Sequence, residues 1–330
     1  MPISGGRILS TTSGWEPVRT RKKIKRAAEV AVVQGLTLGA RLTPRRAGQA
    51  MFAGVGSLAA RLFQKDRRRA EDNLGIAFPD APAPFRRALA TAMFKTLGRN
   101  VYEFLRLEGA SQRTLLDRVE RVEGMENFLA AHGKGRGVIV ITGHIGCWEI
   151  MPANFVARGY SVSVIARRMK VARLNDRLVG IRKSFGVATI DRDDNPRRMF
   201  EPLKRGEILG VLIDQHTRVA GMWVPFFGRP AYTPTAVAKM ALASGAAILP
   251  MGVFIGRNGR HVIHVLPEIP AGNPDRAGRE RAVREITEAC SLAVERLIRI
   301  DPKQWVWFHH RWRGQETGDD GVEAAYAAEA

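Results

Sequence analysis

The sequence predicts an α/β fold with a largely parallel central sheet flanked by helices. Three observations carry that expectation. Short apolar, β-branched runs, among them Gly137–Thr142, Ile208–Ile213 and Ile248–Phe254, have the composition of strands buried on both faces. Segments with helical periodicity alternate with these runs, as in chains that build parallel sheets through crossover helices. At 330 residues and 45% hydrophobic content, the chain is long enough to bury one large α/β core and carry an appendage.

The first twenty residues are small and polar and lack the apolar core and cleavage site of a secretory signal. A basic run, Arg19–Arg26, precedes the apolar stretch Ala27–Ala40, which carries Glu29 and Gln34 and falls short of the roughly 20 apolar residues that a spanning helix needs. Arg41, Pro44, Arg45 and Arg46 then separate it from a second apolar piece, Ala50–Phe63. Two short apolar helices flanked by arginines suit a segment lying among anionic headgroups, and the competing reading is an amphipathic hairpin packed on the main domain. Residues 1–63 are therefore expected to form N-terminal membrane-associated helices, 64–313 the main domain and 314–330 an acidic tail.

After a proline-marked turn at Pro79–Pro84, residues 85–107 place Leu89, Met93, Leu97, Val101 and Phe104 at helical spacing. A helical piece at Met125–His132 leads through Gly133–Gly137 into the first strand. Further strands are expected at Ser161–Ala166, Val187–Ile190, Ile208–Ile213, Ile248–Phe254 and Val262–Leu266, with helices near 172–185, 196–205, 233–244 and 277–299. The short connection Gly256–Gly259 predicts an antiparallel pair at 248–266 within the otherwise parallel sheet.

The net charge of +20 calls for an acidic partner, and its distribution narrows the choice. Residues 1–70 hold fifteen Lys/Arg against three acids, so over half of the excess lies beside the apolar N-terminal segments, where anionic lipid attracts it. No zinc finger, RNA-recognition signature or aromatic–basic platform supports nucleic acid as the partner. Two cysteines, Cys147 and Cys290, form no framework and no metal-ligand spacing, which fits a reducing compartment.

The chemistry concentrates in Gly143-His144-Ile145-Gly146-Cys147-Trp148-Glu149, directly after the strand run that ends at Thr142. On a continuous helix, residues five apart are rotated by about 140°, so His144 and Glu149 would not share a face. With a strand ending near Thr142 and a helix starting around Gly146, His144 sits in the loop and Glu149 projects from the first helical turns. Glu149 would then bond one imidazole nitrogen and leave the other to accept a proton from a substrate hydroxyl. Backbone amides near Gly146 would meet a developing oxyanion. An isolated His–Glu pair of this spacing also occurs as a purely structural hydrogen bond. The strand–turn–helix setting favours the catalytic reading, because ligands bind at the carboxyl ends of strands in open α/β sheets.

Asp214-Gln215 also ends a strand run, and so would approach His144 if the two strands are neighbours. Arg167 and Arg168 end the strand between them in sequence, and Arg182 lies on the helix that follows; forked guanidiniums there suit phosphate, and surface solubility is the competing reading of each. Cys147 is a candidate nucleophile or an apolar filler. His309-His310 are adjacent and splay on any regular element, so no metal site is expected there. The nucleophile-elbow, phosphate-loop, zinc-helix and dinucleotide signatures are absent.

Five blocks in one order carry a family resemblance. They are Arg68-Arg69-x-x-x-Asn73-Leu-x-x-x-Phe78-Pro79, His144-x-x-x-x-Glu149, Asp214-Gln215, Val224-Pro225-Phe226-Phe227-Gly228-x-x-Ala231-x-Thr233, and Pro302-x-Gln304-Trp305-Val306-Trp307-x-His309-x-Arg311-Trp312. Over about residues 65–313 the chain resembles the bacterial lipid A late acyltransferases of the lysophospholipid acyltransferase superfamily, which include the related phosphatidylinositol mannoside acyltransferases.

The resemblance implies a glycerolphosphate-acyltransferase-like domain at 64–313. It implies transfer of a fatty acyl group from acyl carrier protein or coenzyme A to a hydroxyl of a lipid A precursor, a phosphorylated glycolipid. With a histidine base the hydroxyl is expected to attack the thioester directly, with no covalent acyl-enzyme and no cofactor. His144 would be the general base with Glu149 as its partner, and Arg167, Arg182 and Asp214 would surround the substrate. The expected location is the cytoplasmic face of the inner membrane. The chain departs from the family in lacking a clear N-terminal transmembrane helix. Within the resemblance, acylation of another glycolipid such as phosphatidylinositol mannoside is the alternative; outside it stand a Cys147-dependent thioester hydrolase and a non-catalytic membrane-binding protein.

Overall fold

The computed structural model describes residues 34–314. The basic run Arg19–Arg26, the beginning of the first apolar stretch and nearly all of the acidic tail lie outside the described residues. Helices α1 (residues 34–42), α2 (Arg45–Leu62), α3 (Gln64–Ala77) and α4 (Ala83–Leu105) open the described chain. The next elements, α5 (Gln112–Arg118), β1 (Val119–Glu123) and α6 (Met125–His132), lead into β2 (Val138–Thr142). Alternation follows: α7 (Ile150–Ala157), β3 (Val162–Ala166), α8 (Ala172–Ser184), β4 (Ala188–Asp191), α9 (Arg197–Lys204) and β5 (Ile208–Leu212). A hairpin of β6 (Gly221–Phe226) and β7 (Arg229–Pro234) precedes α10 (Ala236–Ser244), β8 (Ala247–Ile255), β9 (His261–Val265) and α11 (Arg279–Ile300).

Seven strands form one sheet in the order β1-β9-β8-β2-β5-β3-β4. All neighbours are parallel except β8 and β9, which pair antiparallel around the turn at 256–259. β2 and β8 are buried along their whole length, which is why their sequences read as continuous apolar runs rather than alternating ones. Two elements escaped that signal. The edge strand β1 is Val-Glu-Arg-Val-Glu, with only Val119 fully buried. The β6–β7 hairpin carries Pro225, Pro230 and Pro234 and stands outside the main sheet.

α2 lies along α4 at backbone contact. A Cβ on Gly56 would fall 2.1 Å from the Phe94 carbonyl oxygen, and one on Gly98 would fall 2.0 Å from that of Phe52, so glycine at both positions permits the approach. Arg45 and Gln49 of α2 also bond the fully buried Glu103 of α4 at 2.9 and 2.5 Å, and Arg118 approaches the same carboxylate at 3.0 Å. Burial opposes charge on Glu103, but His261 and Arg45 outweigh it and bring its pKa down to about 2. The opposite face of α2 is apolar yet uncovered among the described residues: Met51, Val55, Leu58 and Leu62 are 45–68% exposed. No described helix is long and apolar enough to cross a membrane.

Candidate active site

The register of the sheet builds the site. β2 and β5 are parallel neighbours with Val138 opposite Ile208 and Thr142 opposite Leu212. The residues that follow, Gly143-His144 and Ile213-Asp214, therefore leave the carboxyl edge at the same level. His144 Nδ1 lies 2.9 Å from Asp214 Oδ1, and the His144 backbone N–H donates to Asp214 Oδ2 at 2.7 Å. Trp305 Nε1 donates to the same oxygen at 2.7 Å.

Asp214 is 1% exposed. Its burial favours the neutral acid, but the His144 imidazole, its hydrogen bond and the nearby His309 prevail and hold the carboxyl well below the usual carboxylate range. An ionised Asp214 facing Nδ1 fixes the proton on that nitrogen and directs Nε2 away from the carboxylate as the basic atom.

Glu149 is placed differently from the sequence expectation. Its carboxylate forms a two-point pair with Arg182, at 2.9 Å from Nε and 2.5 Å from Nη2, both residues being buried. The imidazole partner in the structure is Asp214. The cause lies in the turn: Gly146 adopts φ +57°, and a Cβ there would fall 2.0 Å from the Val253 carbonyl oxygen. Ile145 pairs with Trp305 in an antiparallel bridge. These features keep 143–149 out of the helix, so α7 begins at Ile150 rather than near Gly146, with Glu149 at its N-cap. The Gly146 N–H donates to the Gln304 carbonyl at 2.8 Å, which removes that amide from the expected oxyanion role.

Arg167 is exposed after β3 and lines a crevice with Arg168, Asp191 and Arg182. Arg168 pairs with Asp191 at 3.2 Å. Cys147 is 3% exposed, and burial, followed by the charges of Glu103 and Glu149, pushes its thiol far above the usual range. A thiol so disposed stays protonated, which removes the basis for a Cys147 nucleophile.

The spacing of the C-terminal block does not by itself assign Trp305 or His309 to the site. Gln215 Nε2 lies 2.9 Å from His309 Nε2 and 3.3 Å from both nitrogens of His144. The two imidazole centroids are 5.1 Å apart. Burial and then the charge of His144 lower the His309 pKa to about 4, so His309 is neutral at ordinary pH. The density of Trp, His and Arg in 305–313 was the available signal.

Beside the dyad, between the sheet and α7, lies an apolar cleft with about 550 Å³ of empty space, part of it open to solvent. Val140, Val162, Val164, Phe155 and Met251 line its interior, and Trp148, Glu149 and Arg182 also border it. One guanidinium nitrogen of Arg182, Nη1, is buried without a hydrogen-bond partner among the described residues.

A family model described as bacterial lipid A biosynthesis acyltransferase matches residues 19–314. The chain is 24% identical over 311 residues to phosphatidylinositol mannoside acyltransferase of Mycobacterium tuberculosis, covering 92% of this chain and 90% of that protein. It is 24% identical over 286 residues to the lipid A biosynthesis lauroyltransferase of Escherichia coli, covering 83% and 86%. With the lipid A biosynthesis myristoyltransferase of the same organism it shares 23% over 283 residues, covering 85% of each.

Proposed function

The chain belongs to the bacterial lipid A biosynthesis acyltransferase family and is an acyltransferase; from that premise we propose that it moves a fatty acyl group from a thioester of acyl carrier protein or coenzyme A to a hydroxyl of a lipid A precursor, a phosphorylated glycolipid. The observation that carries this reading is the His144–Asp214 pair at the ends of adjacent strands beside an apolar cleft. With Nδ1–H donated to Asp214, Nε2 of His144 accepts the proton of the acceptor hydroxyl as its oxygen attacks the thioester carbonyl. The tetrahedral intermediate collapses with cleavage of the C–S bond, and the departing thiolate recovers the proton from the imidazolium. The ionised Asp214 stabilises that imidazolium in passing.

No covalent acyl-enzyme enters this scheme, and no cofactor besides the thioester donor. The acyl chain lies in the cleft against Val140, Val162, Val164 and Phe155. Glu149 and Arg182 hold the wall of that cleft together, so Glu149 acts on the site through Arg182 rather than through the imidazole. Arg182 Nη1 and Arg167 are available to polar groups of the substrates. The cytoplasmic face of the inner membrane is the proposed location, supported by the uncovered apolar face of α2 and by the arginines that flank it.

Phosphatidylinositol mannoside as acceptor is a second reading, favoured by the longer coverage of that mycobacterial relative. A matched assay of lipid A precursor, phosphatidylinositol mannoside and lysophosphatidic acid as acceptors separates the two. The mechanism is tested by His144→Ala protein in membranes supplied with labelled acyl donor: transfer should fall by about 10²–10⁴-fold, and near-wild-type transfer would sink the general-base assignment.

A further inference from the structure

A second apolar crevice shares Trp148 and Glu149 with the cleft beneath α7. Leu97, Asn100, Val101 and Phe104, at spacings of three, four and seven along α4, form one wall, and Gly146, Cys147, Trp148 and Glu149 form the other. The space between these walls amounts to about 380 Å³ when the part open to solvent is counted. Val101, 37% exposed, stands at its outer edge.

Trp148 borders both this crevice and the cleft beneath α7. Its ring centroid lies 4.8 Å from that of His144, edge to face. The two apolar spaces thus converge on the side chain that packs against the proposed base. Within the α4 crevice one polar group is out of keeping with its surroundings. Asn100 is 5% exposed, and its Oδ1 is buried without a hydrogen-bond partner among the described residues. Such an orphaned carbonyl is destabilising unless a donor reaches it.

We propose that this crevice holds a hydrocarbon chain of the acceptor lipid, with Asn100 Oδ1 accepting a hydrogen bond from a hydroxyl or amide N–H carried on that chain. The inference rests on the acyl-transfer reading above. Transfer between a thioester and a lipid needs two apolar tracks that meet at the reacting atoms, and the donor has only one apolar part, its acyl chain. The rest of the donor is a polar carrier arm, a poor match to Leu97, Val101, Phe104 and Trp148. The crevice also lies on the helix that carries α2, whose outer face is apolar and exposed, so a chain drawn from a bilayer reaches it without crossing the core.

The test uses the full-length enzyme with labelled thioester donor and the phosphorylated glycolipid that supports transfer, titrating each substrate at saturating levels of the other. Val101→Trp fills the crevice from its exposed edge, and Asn100→Leu removes the orphaned acceptor. The KM for acceptor should rise roughly tenfold in Val101→Trp and severalfold in Asn100→Leu, with the donor KM within about twofold of wild type. A rise in donor KM with acceptor KM unchanged would assign the crevice to the carrier arm and overturn the proposal. Unchanged KM for both substrates in a Val101→Trp protein that melts like wild type would overturn it as well. Should Asn100→Leu fail to fold, Val101→Trp carries the test alone. Full activity in His144→Ala would refute the general-base assignment separately, since acceptor binding is read from KM in proteins that retain His144.

Discussion

His144 Nδ1 lies 2.9 Å from Asp214 Oδ1, although 70 residues separate the two in sequence. The contact fixes the imidazole tautomer and supplies a counter-charge for the protonated ring. Asp214→Asn keeps the shape but substitutes a neutral amide for the ionised acceptor. We expect kcat to fall by about 10²–10⁴-fold with both KM values little changed, measured by steady-state transfer of labelled acyl groups. A fall of less than threefold would remove Asp214 from the mechanism.

The Glu149–Arg182 pair makes a different prediction. Both side chains are buried, so Arg182→Met strands a carboxylate in an apolar wall and should destabilise the protein by about 3–5 kcal/mol. Adding Glu149→Gln removes the stranded charge, and the double variant should be more stable than Arg182→Met alone. Equilibrium denaturation of the two variants and wild type decides this. Equal stability of the single and double variants would show that the pair is not coupled.

Acid should weaken the fold through His309. Its folded pKa, about 4, lies below the ordinary histidine value of about 6.5, so the unfolded chain takes up this proton first as pH falls. The stabilising contribution is fully present above about pH 6.5 and is lost as pH falls through 4, amounting to roughly 2–3 kcal/mol. His261, lowered chiefly by burial, acts with the same sign. Denaturant midpoints at pH 7 and pH 4.5 should differ less in His309→Gln than in wild type, and an identical difference would refute the assignment.

The exposed face of α2 predicts attachment to anionic bilayers. Leu58→Glu combined with Leu62→Glu places two acids on a face that is otherwise apolar, at positions 53% and 68% exposed. Sedimentation with vesicles containing phosphatidylglycerol should show at least a tenfold loss of binding. Thermal stability should change by less than about 1 kcal/mol, as expected for surface substitutions. Undiminished binding would place the membrane contact elsewhere.

Much of the architecture was legible from local pattern. Buried parallel strands leave continuous apolar runs, so β2, β3, β5 and β8 were read within a residue or two of their observed bounds. The short connection at 256–259 marked the antiparallel return of β9. β1 and the β6–β7 hairpin left no such trace, because an edge strand of alternating charge and a proline-bearing ribbon carry no buried run.

By itself the sequence determined that His144 and Asp214 each follow an apolar strand run, that Glu149 lies just beyond the first turn, and that the basic excess accompanies apolar N-terminal segments. Only the tertiary structure decided which carboxylate faces the imidazole. Nearness along the chain favoured Glu149. The placement of β5 beside β2, in register from Val138 to Thr142, brought Asp214 instead, and the left-handed Gly146 turned Glu149 toward Arg182. Partner choice at the end of a strand depends on strand order and register, which are set by contacts among residues distant in sequence and leave no mark in the spacing of a local motif.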